Sequence, residues 1–242
     1  MSCEENSKNL NPLQIDVILG MMRQEGYVIF TRPFELNMIG VRTVPTNPDE
    51  YDDRMYVLWK DDKGFWKGKE YVVTTDPSTR YLKSPINTLG AAILPSGQYL
   101  DKWKLGYHRG KYLALVNSGE LCVYRDYDRT AILTFDAESK SCGHYGINIH
   151  RSKAGAADDG KGNTRGNYPA SAGCQVFRNS YCFEEFMEMA KKHADMYGDS
   201  FSYTLFDLSL QRKYLVKKII TVLGVLSGVA LVLYGTYLLE DT

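Results

Sequence analysis

The sequence predicts a mostly β domain, sandwich- or barrel-like, with accessory helices and one C-terminal transmembrane helix. Three observations carry this. Short apolar runs recur along the chain, separated by Gly, Pro, Asn and Asp turn signals. Only two segments ahead of the C-terminus repeat their apolar residues at helical spacing. Residues 219–239 carry no formal charge, and at 1.5 Å per residue they reach across roughly 30 Å of hydrocarbon. The chain has 242 residues and is 44% hydrophobic, enough for a packed core. Lys plus Arg and Asp plus Glu balance at 29 each, so there is no basic footprint for nucleic acid.

In chain order, residues 13–25 read as an amphipathic helix burying Leu13, Ile15, Ile18, Leu19 and Met22, stopped by Gly26. Residues 27–30 and 36–41 read as strands. Residues 55–59 and 71–74 read as a hairpin around the polar turn 61–64. Residues 75–110 are broken by Pro, Gly and Tyr. Residues 112–116 and 121–125, joined by Asn117-Ser118-Gly119-Glu120, read as a second hairpin. Further strands are expected at 131–135, 145–150 and 173–177. Residues 151–170 are rich in Gly, Ala, Asp and Asn and read as a loop. Residues 183–197 form the clearest helix, with Phe183, Phe186, Met187, Ala190 and Ala194 on one face, and 201–206 is the last strand.

This divides the chain into an α+β region of unassigned role (1–105), a candidate catalytic domain (106–208), and a basic linker with a membrane anchor (209–242). Arg212, Lys213, Lys217 and Lys218 precede the apolar span, and Glu240 and Asp241 follow it. The positive-inside tendency then expects a single-pass tail anchor in membrane lipid, with the large domain on the cytoplasmic side. Gly224, Ser227 and Gly228 give the span a small-residue face suited to self-association. The five cysteines, Cys3, Cys122, Cys142, Cys174 and Cys182, are odd in number and irregularly spaced. They read as free thiols in a reducing compartment.

His150 and Cys174 are the candidate catalytic pair. A thiol becomes a strong nucleophile when a neighbouring base takes its proton, and a catalytic Cys174 is expected to carry a depressed pKa. His150 ends an apolar run and would be that base; the sequence does not identify its orienting partner, for which a backbone carbonyl would suffice. Backbone amides around Gly173, with Ser171, would supply the oxyanion donors. Arg151 is a candidate substrate-binding residue through a bidentate contact with a carboxylate. His108, in Gly106-Tyr107-His108-Arg109-Gly110, is a second. His108, His144 and His150 show no His-x-x-x-His or comparable pair, so no metal is expected, and no cofactor.

His150, the loop 151–170, and Ser171-Ala172-Gly173-Cys174 together resemble the YkuD-like L,D-transpeptidase signature: a histidine on a strand, a variable loop, then Ser/Thr-His-Gly-Cys. The resemblance covers about residues 108–207, including the helix and closing strand after the cysteine. The chain is also similar to bacteriophage and prophage proteins with Asn-Ile-His-Arg and Ser-Ala-Gly-Cys-Gln-Val-Phe segments. Ala172 stands where the family has histidine, and Val176 where it commonly has arginine. The resemblance implies a cysteine-dependent acyl transfer or hydrolysis on peptidoglycan stem peptides, as in a phage-type endolysin, with Cys174 forming a thioester. The rival expectation is a non-catalytic structural or binding protein, at a virion or a membrane, that reuses the fold.

Overall fold

The computed structural model describes residues 3, 7–43, 47–152, 169 and 171–207. The apolar span 219–239, the basic cluster before it and most of the loop 151–170 lie outside these residues. Among the described residues, no helix is long and apolar enough to cross a membrane.

The elements are β1 (Ser7–Asn9), α1 (Pro12–Gln24), β2 (Asn37–Arg42), β3 (Asp53–Lys60), β4 (Trp66–Thr74), α2 (Thr79–Lys83), β5 (Ala91–Ile93), β6 (Gly97–His108), β7 (Tyr112–Asn117), β8 (Leu121–Asp126), β9 (Ser141–Gly143), β10 (Ile149–Arg151), β11 (Gln175–Phe177), α3 (Ser180–Tyr197) and β12 (Phe201–Asp207). The fold is mostly β. Eight strands pair in the ring β4-β11-β10-β7-β6-β12-β2-β3, and β3 returns to β4 to close it. β1 adds beside β4 on the edge that β11 also uses. Two of the ring's pairings are parallel, β10 with β11 and β12 with β2; the rest are antiparallel. Closure leaves no open strand edge in the ring, the usual aggregation hazard of a sheet.

Alternation along the strands builds two cores. Met38, Met55, Val57, Tyr71, Trp103 and Tyr203 belong to one, where Trp103 meets Tyr203 edge-on at 5.6 Å between ring centroids. Their neighbours Ile39, Val41, Leu58 and Phe206 point the other way and are covered by Ile15, Ile18, Leu19 and Met22 of α1. Asn11 caps α1, with Gln14 answering in a reciprocal capping box. Asn179 caps α3, which lays Phe183 and Phe186 on Phe177. A polar cluster sits within this apolar frame. Arg42 pairs with Asp76 at 2.7 Å, both fully buried. Asp53 accepts from the Thr43 N–H and from the N–H and hydroxyl of Thr75. Burial and the nearby Asp76 push the Asp53 carboxyl up to about 7.

Several sequence expectations change. The hairpin expected from 112–116 and 121–125 does not form. Both edges of β7 are occupied, by β6 and β10, so β8 leaves for a separate sheet, β5-β8-β9. The turn between them is pinned to β6 instead, where the Lys102 carbonyl accepts from the Ser118 N–H and the Asn117 amide. Residues 27–30 are not a strand, because side chains take the bonds a ladder would make: Val28 N–H donates to Gln98 and Phe30 N–H to Asn37. Residues 131–135 are likewise irregular, with Thr134 N–H donating to Asp126. The long strand β6 lies in the stretch read as broken, and the boundary expected between residues 105 and 106 falls inside it. Strands from both sides of that boundary build one ring.

The cysteines are also corrected. Cys3 bonds to Cys182 and Cys122 to Cys142. Cys174 alone is a free thiol. The two pairs are brought together by topology across 179 and 20 positions of chain, which spacing along the sequence does not disclose.

Candidate active site

The parallel pairing of β10 with β11 sets the geometry. Ile149 lies opposite Gln175 and His150 opposite Val176. Cys174 stands immediately before β11, and alternation carried one residue beyond the strand places it on the side of Val176 and His150, two positions from the His150 register. Strand spacing and rise put their Cα atoms roughly 8 Å apart.

Just before Cys174 the chain makes a fixed turn. Ser171 Oγ accepts from the Gly173 N–H (3.1 Å) and donates to the Cys174 carbonyl (2.8 Å). The Ser171 carbonyl in turn accepts from the N–H and hydroxyl of Ser78. Gly173 has φ of 118°, and a Cβ there would lie 2.2 Å from the Ala92 carbonyl oxygen. Only glycine fits. Ser171 and Gly173, expected as oxyanion contributors, therefore shape the turn. The Gly173 N–H is taken by Ser171, whereas no acceptor among the described residues takes the N–H of Cys174.

The Cys174 thiol is half-buried. Its sulfur accepts from the Asn148 N–H at 3.4 Å and donates to the Gly146 carbonyl at 3.7 Å. The His150 imidazole is not among its hydrogen-bond partners in this resting arrangement. Burial pushes the thiol above its ordinary pKa, and the Asn148 N–H draws it part of the way back. The expected depression is therefore not present here.

His150 is buried, with Nδ1 2.8 Å from the Arg151 carbonyl and 3.3 Å from the Tyr112 hydroxyl. A carbonyl only accepts, so Nδ1 carries the proton and Nε2 keeps its lone pair. The Arg151 carbonyl, which the sequence did not identify, is thus the group that orients this ring. His108 stacks on His150 at 4.0 Å between centroids, with the rings 27° from parallel. Burial first, then the neighbouring His108, hold His150 down to about 3. The imidazole is neutral across the physiological range.

His108 lies in the site as a ring support. Burial lowers its pKa too, and its Nδ1 lies 3.0 Å from the Asn148 side-chain nitrogen. Asn148 Oδ1 accepts from the Asn117 N–H, which fixes that amide's orientation. Arg151 stacks its guanidinium 4.2 Å above the Tyr112 ring and donates to the Ser152 carbonyl. Sequence reasoning missed Tyr112 and Asn148. Asn148 stands two residues before His150, so strand alternation alone placed it on the same face. Among the described residues no cluster of His, Cys, Asp and Glu has the arrangement of a metal site.

Comparison of the chain with protein-family models, with curated proteins and with solved structures returned no match.

Proposed function

We propose that this protein is a cysteine-dependent acyl-transfer enzyme of the L,D-transpeptidase type, acting on peptidoglycan stem peptides as a phage-type lytic enzyme does. One observation carries the reading. The single free cysteine sits in a glycine-enforced turn that leads directly into β11, beside the strand β10 whose His150 has Nδ1 tied to a carbonyl and Nε2 left with its lone pair. The peptidoglycan substrate comes from the resemblance at His150, Ser171, Gly173 and Cys174.

In the proposed reaction the thiol turns from the Gly146 carbonyl towards His150 Nε2, which takes its proton. The sulfur attacks the peptide carbonyl carbon, and the Cys174 N–H donates to the developing oxyanion. The imidazolium returns the proton to the leaving amine as the C–N bond breaks, leaving a thioester. Water then completes hydrolysis, or an amine completes exchange. With the thiol and the imidazole both neutral at rest, the proposed route transfers the proton during the attack and needs no preformed ion pair.

The two disulfides support a domain that folds where thiols are oxidised. They favour the peptidoglycan side of the membrane over the cytoplasmic side expected from charge. Residues 219–239 are proposed as its lipid anchor and as a surface for self-association.

Cys174→Ala and His150→Ala are each expected to reduce cleavage or exchange of purified wall peptides at least about a thousandfold, as loss of a nucleophile or its base does elsewhere. Full activity in Cys174→Ala ends the proposal. The raised thiol pKa favours a second reading, a non-catalytic binding protein on the same fold. Under it, native Cys174 reacts with iodoacetamide no faster than a buried thiol and forms no thioester detectable by mass spectrometry.

A further inference from the structure

A second feature flanks the Cys174 turn, and its bearing rests on the acyl-transfer reading. A cavity of about 200 Å³ is lined by Tyr81, Asn87, Ala92, Arg125, Tyr145 and Ala172, among others. Ala172 is two residues before Cys174. Ala92 is the residue whose carbonyl packs on Gly173. Tyr145 precedes Gly146, whose carbonyl holds the thiol. The cavity therefore shares its wall with the turn that presents the nucleophile.

Arg125 is the charged group of this wall, and it is only 6% exposed. Its Nε donates to the Ser141 hydroxyl at 3.1 Å and its Nη1 to the Gly90 carbonyl at 3.2 Å. Its guanidinium lies 4.4 Å from the centre of the Tyr145 ring. Among the described residues, no carboxylate lies within ion-pair distance of it. Buried arginines are ordinarily paired with an acid, because an uncompensated buried charge is costly. Here neutral acceptors and one aromatic face hold the cation, and Nη2 has no protein partner among the described residues. The disulfide Cys122–Cys142 joins the strands β8 and β9 that bear Arg125 and Ser141, so the fork is held in place before any ligand arrives.

We propose that this cavity is a carboxylate subsite, with Arg125 binding the terminal carboxylate of the peptide that Cys174 attacks. A guanidinium matches a carboxylate through parallel N–H donors. The cavity is smaller than the roughly 300 Å³ of a drug-sized site, and so takes one terminal amino acid, beside the turn that carries Cys174. The assignment gives the site a specificity element that Val176, lacking the charge of the family's arginine, does not supply.

The test compares a stem tetrapeptide bearing a free C-terminal carboxylate with the same peptide as its C-terminal amide. Binding to the full-length Cys174→Ala protein is read by calorimetry, and turnover by the native protein is read by mass spectrometry. The acid is expected to bind and react about tenfold to a hundredfold better than the amide, the range of one charge-assisted contact. Arg125→Met brings the two within about twofold, and Arg125→Lys keeps part of the preference. Equal binding of acid and amide to Cys174→Ala, where Arg125 is intact, overturns the subsite whatever the Arg125 variants do to folding, and leaves the acyl-transfer reading standing. If neither peptide binds or reacts, the substrate class and the subsite both fall.

Discussion

His150 is a buried ring kept neutral at the expense of its basicity. The Arg151 carbonyl fixes the proton on Nδ1 while burial and the stacked His108 ring oppose a second proton. That has a consequence for stability. A histidine ordinarily titrates near 6.5 and this one near 3, so the unfolded chain takes up the proton first as pH falls. The stability that the neutral ring contributes is fully present above about 6.5, and is lost between there and about 3 at close to 1.4 kcal/mol per pH unit. Asp53 works in the opposite sense. Its carboxyl is raised to about 7, so its contribution is present below the ordinary carboxylate value and is lost as pH rises through 7. The two partly cancel in the native protein, and a single pH–stability curve does not separate them. The difference between native protein and His150→Gln does. Urea midpoints of the native protein are expected to fall more steeply from pH 6.5 to pH 4 than those of the variant. Equal slopes in the two proteins contradict the buried neutral ring.

The decisive element is the turn 171–174, because it aims the thiol. A side chain at Gly173 meets the Ala92 carbonyl oxygen at 2.2 Å, and this φ is strained for any L residue. Gly173→Ala is expected to destabilise the protein by about 3 kcal/mol or displace the turn, lowering the urea midpoint and slowing any Cys174-dependent turnover together. An unchanged midpoint means that the turn is softer than its packing implies. This element was half legible in the sequence. The glycine before the cysteine and the serine three residues ahead of it stood out, but as oxyanion donors. That Ser171 consumes the Gly173 N–H depends on a hydrogen bond no spacing rule foretells. The helices α1 and α3 were legible from helical periodicity, β3 and the end of β4 from alternation, and β2 and β12 as short apolar runs buried on both faces. β6 was not. Its burial is irregular along its length, and its glycines and tyrosines read as breaks. The 112–125 hairpin failed for a related reason. Turn chemistry was correct locally, but β10 had a stronger claim on the free edge of β7 than β8 did.

For the whole molecule the governing constraint is closure of the ring, and the two disulfides tie down what lies outside it, one joining the N-terminal end to α3 and one crossing the separate sheet at β8 and β9. β1 holds to β4 through only three residues on each strand. Near this end of the chain, Cys3 is bonded to Cys182 in the first turn of α3, the helix whose phenylalanines pack on β11. Loop-closure entropy makes that link worth about 5 kcal/mol and the shorter Cys122–Cys142 link about 3 kcal/mol. Both are large against the 5–15 kcal/mol that holds a typical domain folded. Oxidation is therefore expected to be a condition of a stable barrel as well as a record of where the chain folds, while leaving Cys174 alone as a thiol. Reductant should lower the melting temperature by ten degrees or more, at several degrees per kcal/mol. Non-reducing peptide mapping should return Cys3 linked to Cys182, Cys122 linked to Cys142, and one alkylated cysteine at 174. A peptide linking Cys174 to any other cysteine would remove the nucleophile from the proposed chemistry. A melting temperature indifferent to reductant would show instead that strand pairing alone closes the ring, and the case for an oxidising compartment would lose its support.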